Sequence, residues 1–168
     1  MDSWLLRAEA ICMDCGGHCC IDAHPPLSKS CYQRLVDAGV PLTAFETTGY
    51  TRLKTKENGE CILSENGKCR IHSIKPETCR AGPFTFDVQG DTLEIYLKHE
   101  RICPIVPLLK ETPEAYRQQY ERAVASITHL VRNLTPAEIA EICRIDEPDT
   151  EKVAEIPLKI PITYDHRN

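Results

Sequence analysis

The stretch Cys12-Met13-Asp14-Cys15-Gly16-Gly17-His18-Cys19-Cys20 puts four thiols within nine residues. A thiolate is both a nucleophile and a soft metal ligand. A Cys-x-x-Cys pair can hold one metal centre, because two intervening residues let the chain turn back and present both sulfurs to one point. Gly16 and Gly17 free the backbone to fold closely around that centre, since glycine has no Cβ and tolerates positive φ. Cys19 and Cys20 are neighbours with diverging side chains, so they suit two sites, or one site and its surroundings. Cys61, Cys69, Cys79 and Cys103 follow further along the chain.

Two of the ten cysteines read differently. Cys31 shares a helix face with Leu35 and Ala38, and Cys143 shares one with Ile139 and Ile142; both read as small buried hydrophobes. The remaining eight, Cys12, Cys15, Cys19, Cys20, Cys61, Cys69, Cys79 and Cys103, are the expected metal ligands. Eight thiolates suit two four-ligand sites, or one cluster on four with the rest around it. Zinc and iron–sulfur clusters both accept all-cysteine sets. Zinc knuckles usually come as two short bites, and only Cys12/Cys15, with Cys15/Cys19 as a looser match, fits that spacing. The later gaps are seven, nine and twenty-three residues. Spread single ligands gather more easily around a cubane with four corners than around one small ion. The expectation is therefore iron–sulfur, of the 4Fe-4S type, as one or two clusters, with zinc as the alternative. His18 and His72 lie beside ligands and read as supports. Arg80, after Cys79, could offset thiolate charge.

Other chemistries leave no trace. The chain has no Ser/His/Asp pattern, P-loop or GxGxxG motif, and no carboxylate pair set for acid–base work. Nothing singles out one cysteine as a nucleophile, so the sequence leaves open whether the protein is an enzyme. A length of 168 residues fits one domain, and 42% hydrophobic with 27% charged residues is the make-up of a soluble globular chain. A net charge of -5 argues against nucleic acid. No apolar run nears the roughly 20 residues that span a bilayer. The opening Met1–Arg7 lacks the marks of a signal peptide. A cytoplasmic, reducing setting is expected, where cysteine clusters serve metals more often than disulfides.

The elements that must position these thiols can be read in order. A short amphipathic helix is expected over residues 1–11, leading into the first ligand loop. Ser28 should cap a helix over 29–38 that Gly39 ends. Short strands and turns follow, with tight turns at Glu57-Asn58-Gly59 and Glu65-Asn66-Gly67 just before Cys61 and Cys69. Pro76-Glu77-Thr78 opens a helical turn that carries Cys79. Alternation at Phe84, Phe86, Val88 and at Leu93, Ile95, Leu97 predicts a hairpin. Thr112-Pro113 starts a long helix, whose apolar stripe runs from Tyr116 to Leu134. Thr135-Pro136-Ala137-Glu138 reads as a capping box. Ile156, Leu158, Ile160 and Ile162 form an extended arm, confined by Pro157 and Pro161 to an edge. The expected fold is α+β, a small cysteine-rich metal-binding region of short strands and loops packed on a long C-terminal helix. The division expected is a cysteine-cluster region at 1–104 and a helical region with its arm at 105–168.

Taken together, Cys12-x-x-Cys15-Gly-Gly-His-Cys19-Cys20, Cys61-Ile62-Leu63, Cys69-Arg70-Ile71-His72 and Pro76-Glu77-Thr78-Cys79-Arg80-Ala81-Gly82-Pro83-Phe84 resemble the YkgJ-type cysteine-cluster family. The resemblance spans about residues 12–103 and implies a domain that chelates zinc or iron. Family members typically have tyrosine in place of His72 and arginine in place of Lys75. A related cluster occurs in flagellin lysine N-methylases, which implies a link to methyl transfer; no S-adenosylmethionine-binding motif is present here. The leading expectation for function is electron transfer or redox sensing with a larger protein partner. The alternatives are a zinc-structured binding adaptor and an accessory protein of a modification enzyme. The C-terminal arm is expected either to cover its own core or to join two copies as a homodimer.

Overall fold

The computed structural model describes residues 3–146 and 149–158, and its first helix, α1, spans Ser3–Cys15. The helix therefore runs past its expected end near residue 11 and carries Cys12 and Cys15 on its last turns. Nothing in Cys12-Met13-Asp14-Cys15 breaks a helix. Gly16 and Gly17 do, adopting φ of 70° and 80°, a region open to glycine at little cost. A short 3-10 turn, His18–Cys20, follows. Helix α2 spans Lys29–Asp37; the Ser28 hydroxyl accepts from the Cys31 N–H at 3.1 Å, as its capping role requires.

Strands β1 (Phe45–Thr47) and β2 (Thr51–Leu53) form one antiparallel pair, and β3 (Ser64–Glu65) and β4 (Lys68–Cys69) another. Asn66 and Gly67, at φ of 52° and 71°, make the two-residue turn expected between β3 and β4. The Glu57-Asn58-Gly59 turn is closed by the Lys56 N–H donating to the Glu60 carbonyl at 2.7 Å and the Gly59 N–H to the Lys56 carbonyl at 3.0 Å, flanked by an isolated bridge between Thr55 and Cys61 rather than by regular strands. Helix α3 spans Glu77–Ala81. Strands β5 (Phe84–Gln89) and β6 (Thr92–Lys98) form the expected hairpin, pairing Phe84 with Leu97 and Val88 with Leu93. Helix α4 (Val106–Glu111), unanticipated in the sequence, carries Pro107 in its first turn, where proline is tolerated. The long helix is α5 (Pro113–Arg132), and α6 (Pro136–Ile142) opens on the complete Thr135/Glu138 capping box.

The final strand, β7 (Thr150–Pro157), adds to the free edge of β6, giving the order β5-β6-β7. Pro157 stands at the end of this edge strand, so its missing donor interrupts no ladder. The extended segment thus begins six residues before Ile156. Ile160, Pro161 and Ile162, the far half of the expected arm, lie outside the described residues.

Buried side chains form two clusters. The larger joins Trp4 and Ala8 of α1, Leu93, Ile95 and Leu97 of β6, Val106 and Leu109 of α4, and Ala115, Ala123 and Ile127 of α5. The smaller joins Leu27, Cys31 and Leu35 around α2 to Leu53, Cys61, Leu63 and Ile71. The long helix packs on α3, α4 and β5, so the cysteine-rich region rests on it, and the fold is α+β.

Candidate metal centre

On α1, residues 4, 8, 11 and 15 recur at helical spacing, so the apolar stripe that buries Trp4 and Ala8 runs directly into Cys15. The indole N–H of Trp4 donates to Gln118 Oε1 at 3.1 Å and ties α1 to α5. This docking brings Cys12 towards Cys103, which packs against the same cluster just before α4. Beyond Gly17 the chain is stitched to the Cys61 segment. The Asp22 N–H donates to the Gly59 carbonyl and the Cys61 N–H to the Cys20 carbonyl, both at 2.7 Å.

The cysteine loop and the β3–β4 turn meet backbone to backbone. A Cβ placed on Gly17 would stand 3.0 Å from the Gly67 carbonyl oxygen, and one on Gly67 would stand 3.0 Å from that of Gly16. The approach that brings Cys69 to the first cysteine stretch depends on three glycines. Cys79 arrives on α3, which is anchored twice. Gln119 Nε2 donates to the carbonyls of Arg80 at 3.1 Å and Gly82 at 2.7 Å. The Ser28 hydroxyl, besides capping α2, donates to the buried Glu77 carboxylate.

All eight expected ligands come within one another's electrostatic influence. Cys12 feels Cys19 and Cys15, Cys103 feels Cys12 and Cys19, Cys20 feels Cys19, Cys61 and Cys69, and Cys79 feels Cys61, Cys19 and Cys69. Burial raises the thiols of Cys12, Cys61 and Cys103 above their ordinary range and pushes Cys79 up to about 12. The Cys79 residue as a whole nonetheless keeps surface open to solvent. The Cys20 thiol donates to the Cys19 sulfur, which raises Cys20 and lowers Cys19. Cys31 and Cys143 stand apart. Cys31 is wholly buried, and its electrostatic partners are Glu77, Arg34 and Arg80; Cys143 faces Asp87 at the end of α6.

The cations beside the thiols are Lys75 and Lys98, which the sequence reading did not single out. Lys75 acts on Cys12, Cys19 and Cys79, and Lys98 on Cys19 and Cys103. Lys98 is the last residue of β6, and only the hairpin brings it across to residues 19 and 103. Arg80, for which charge offset and a surface place were both open, is exposed and donates to the Lys75 carbonyl at 3.4 Å. Its charge acts on Cys31. His72 is held below the usual histidine range by the Lys75 charge and partial burial. Pockets lined by Cys143 with Asp87 and Tyr96, and by Val40 with Arg70 and Ile71, have none of the eight thiols on their walls.

The donor set fits a zinc ion or an iron–sulfur cluster in type and in number. Among the described residues, no three His, Cys, Asp or Glu side chains close on one point tightly enough to hold an ion as they stand. Thiolates drawn together repel, and a bound cation removes that repulsion, so closure and metal binding are expected to be one event.

No curated protein and no solved structure matches the chain. A family model does. It is named CxxCxxCC, is described as "Putative zinc- or iron-chelating domain", and covers residues 11–104. This chain places three residues between Cys15 and Cys19, one more than the family's name spells. The extra position falls in the loop where Gly16 and Gly17 turn the backbone out of α1. With all eight gathered cysteines inside the matched residues, and they alone of the ten, apart from the buried Cys31, the chain belongs to the CxxCxxCC family of zinc- or iron-chelating cysteine domains.

Proposed function

We propose that this domain holds iron–sulfur and exchanges electrons with, or reports redox state to, a larger protein partner. The observation that carries the reading is that eight thiols from separate elements lie within one another's electrostatic influence, beside two lysines. Ligands that arrive as pairs from α1 and the 3-10 turn and singly from the Cys61 segment, β4, α3 and the segment before α4 suit a polynuclear centre with several corners. Lys75 and Lys98 offset the charge such a centre would add. Closeness to the surface suits electron exchange, because a partner's own centre can then approach.

The rim supports a partner. Met13, Ile21 and Ile102 are 67%, 44% and 38% exposed, and each is a near neighbour in sequence of a clustered cysteine. Exposed apolar groups around a functional centre are what a docking protein covers. Iron–sulfur would supply a reversible one-electron couple; the chain's own part is to hold it, tune its charge and present it.

Anaerobic purification with analysis of iron, zinc and acid-labile sulfide tests the reading. A brown protein holding iron and sulfide in equal amounts, with an electron paramagnetic resonance signal after reduction, is expected. A colourless protein holding only zinc, unchanged by redox reagents, would replace this reading with a zinc-structured adaptor.

A further inference from the structure

We propose that Gln119 is a positioning residue for the metal centre: from α5, beyond the last residue matched by the family model, it holds helix α3 and so fixes where Cys79 presents its sulfur. The inference rests on the thiolate-centre reading above and adds a residue that is itself no ligand.

Helix α3, Glu77–Ala81, is only five residues, too short to keep its shape in water by itself. Its last carbonyls lack partners within the helix, as at every helix C-terminus. A left-handed residue after the helix commonly brings a following N–H back to them. That remedy is closed here. Gly82 is extended, at φ of -51° and ψ of 139°, and Pro83 has no N–H to give. The donor comes instead from α5, where the Gln119 side-chain amide serves both the Arg80 carbonyl and the Gly82 carbonyl. One bond falls on the residue that follows Cys79 and the other just past the helix, so the grip is on the turn that carries the thiol.

Packing puts Gln119 in reach. It is 8% exposed, on a face of α5 where Ala115 and Ala123, one turn to either side, are fully buried. Ala81 of α3 is fully buried in the same core. Small side chains at these positions let the two helices approach closely enough for one amide to span the gap. An amide buried between alanines costs desolvation unless its hydrogens are bonded, and the two carbonyls of α3 take them.

The start of α3 has its own holds. The Ser28 hydroxyl donates to Glu77, and the Lys75 carbonyl, just before the helix, accepts from Arg34 Nη2 and Arg80 Nη2, each at 3.4 Å. Tied to α2 at one end and to α5 at the other, the turn leaves Cys79 little freedom. Gln118, the residue next to Gln119, accepts from Trp4 of α1, the helix that carries Cys12 and Cys15. Successive residues leave a helix about 100° apart. Two adjacent glutamines of α5 thus hold two thiol-bearing helices on two of its sides.

Cobalt(II) is the probe, because its thiolate absorption reports sulfur coordination whichever metal is native. Gln119→Met keeps length and bulk and removes the donating amide. Titrated anaerobically into the metal-free full chain, cobalt(II) should bind this variant about tenfold more weakly than the unaltered chain, the low end of what supports behind metal ligands contribute. Leu93→Ala, in the same core but at the far end of the hairpin, where it pairs with Val88, should lower the melting temperature and leave affinity unchanged. In a Cys79→Ser background, Gln119→Met should cost no further affinity, because its effect runs through that sulfur. Far-UV circular dichroism shows whether each chain folds. Where Gln119→Met does not, Gln119→Asn, with its amide one methylene short of the carbonyls, takes its place with the same outcomes. Unchanged affinity in the folded Gln119 variant, an equal loss in Leu93→Ala, undiminished affinity in Cys79→Ser, or the full loss persisting on top of Cys79→Ser overturns the inference and leaves the thiolate-centre reading standing. An unaltered chain that takes up neither cobalt nor zinc nor iron overturns both.

Discussion

Cys31 and Cys79 show how one residue type takes two roles by what surrounds it. Cys31 has no solvent contact and lies among Leu27, Leu35 and Leu53, while Cys79 stands among other sulfurs. Cys31→Ala should leave metal content unchanged and cost about 1–2 kcal/mol in urea unfolding, the loss of a small buried group. Cys79→Ala should lower metal content, read by elemental analysis of the same preparations. Ser28 does two jobs with one oxygen, accepting from the Cys31 N–H and donating to Glu77. Ser28→Ala should cost about 2 kcal/mol, roughly half from the lost cap and the rest from leaving the buried Glu77 carboxylate short of a donor. If Lys75 and Lys98 offset cluster charge, Lys98→Gln should shift the reduction potential negative, because an added electron loses a nearby cation. Voltammetry that shows no shift, or a positive one, would remove Lys98 from that role.

At the scale of elements, the glycine contact between the cysteine loop and the β3–β4 turn sets how closely two ligand-bearing segments approach. Gly67 combines a φ of 71° with a Cβ position 3.0 Å from the Gly16 carbonyl oxygen. Gly67→Ala should cost about 1–2 kcal/mol from backbone conformation alone and push the hairpin off the loop. Lower metal affinity should accompany the stability loss; full affinity would mean the loop adjusts freely. Metal removal should act unevenly along the chain. The α1 end, the cysteine loop and the β3–β4 hairpin carry thiols, whereas α5 carries none and is buried along Ala123, Ile127, Leu130 and Val131. Hydrogen exchange after chelation should therefore rise first within residues 11–104, with α5 the last to lose protection.

For the whole molecule, the terminal strand closes the structure. β7 pairs with β6 along Thr92–Lys98, and its Val153, Ala154 and Ile156 pack against the larger core. Removing residues 150–168 should uncover that edge, lower the melting temperature and leave the oligomeric state unchanged. A full-length dimer that becomes a stable monomer on truncation would instead make the arm an assembly element. The same sheet carries Lys98 to the thiols, so damage to β7 should also reach the centre, visible as weakened metal retention in the truncated chain.

Local rules are enough for much of this chain. Ser28, the Asn66-Gly67 turn, the Thr135/Glu138 box and the alternating runs of β5 and β6 act within a few residues, so they could be read before any fold was known. The burial of Cys31 was legible for the same reason, because helix periodicity puts it with Leu35 on a packed face, whereas Cys143, expected on an apolar side, is half-exposed and faces Asp87. What needed three dimensions are contacts between distant segments. Helix α1 extends through Cys15 because docking on α5 favours it and the helix meets no breaker before Gly16. Lys98 and Cys103 reach the first cysteine stretch only through the hairpin and α1, and Arg80 turns away towards a carbonyl that its sequence position does not announce. The residues that could bind metal are written in the order of the chain. Which of them face one another depends on the docking of α1 on α5 and on the backbone contact between the cysteine loop and the β3–β4 turn, and pairing across more than forty residues leaves no local pattern to read.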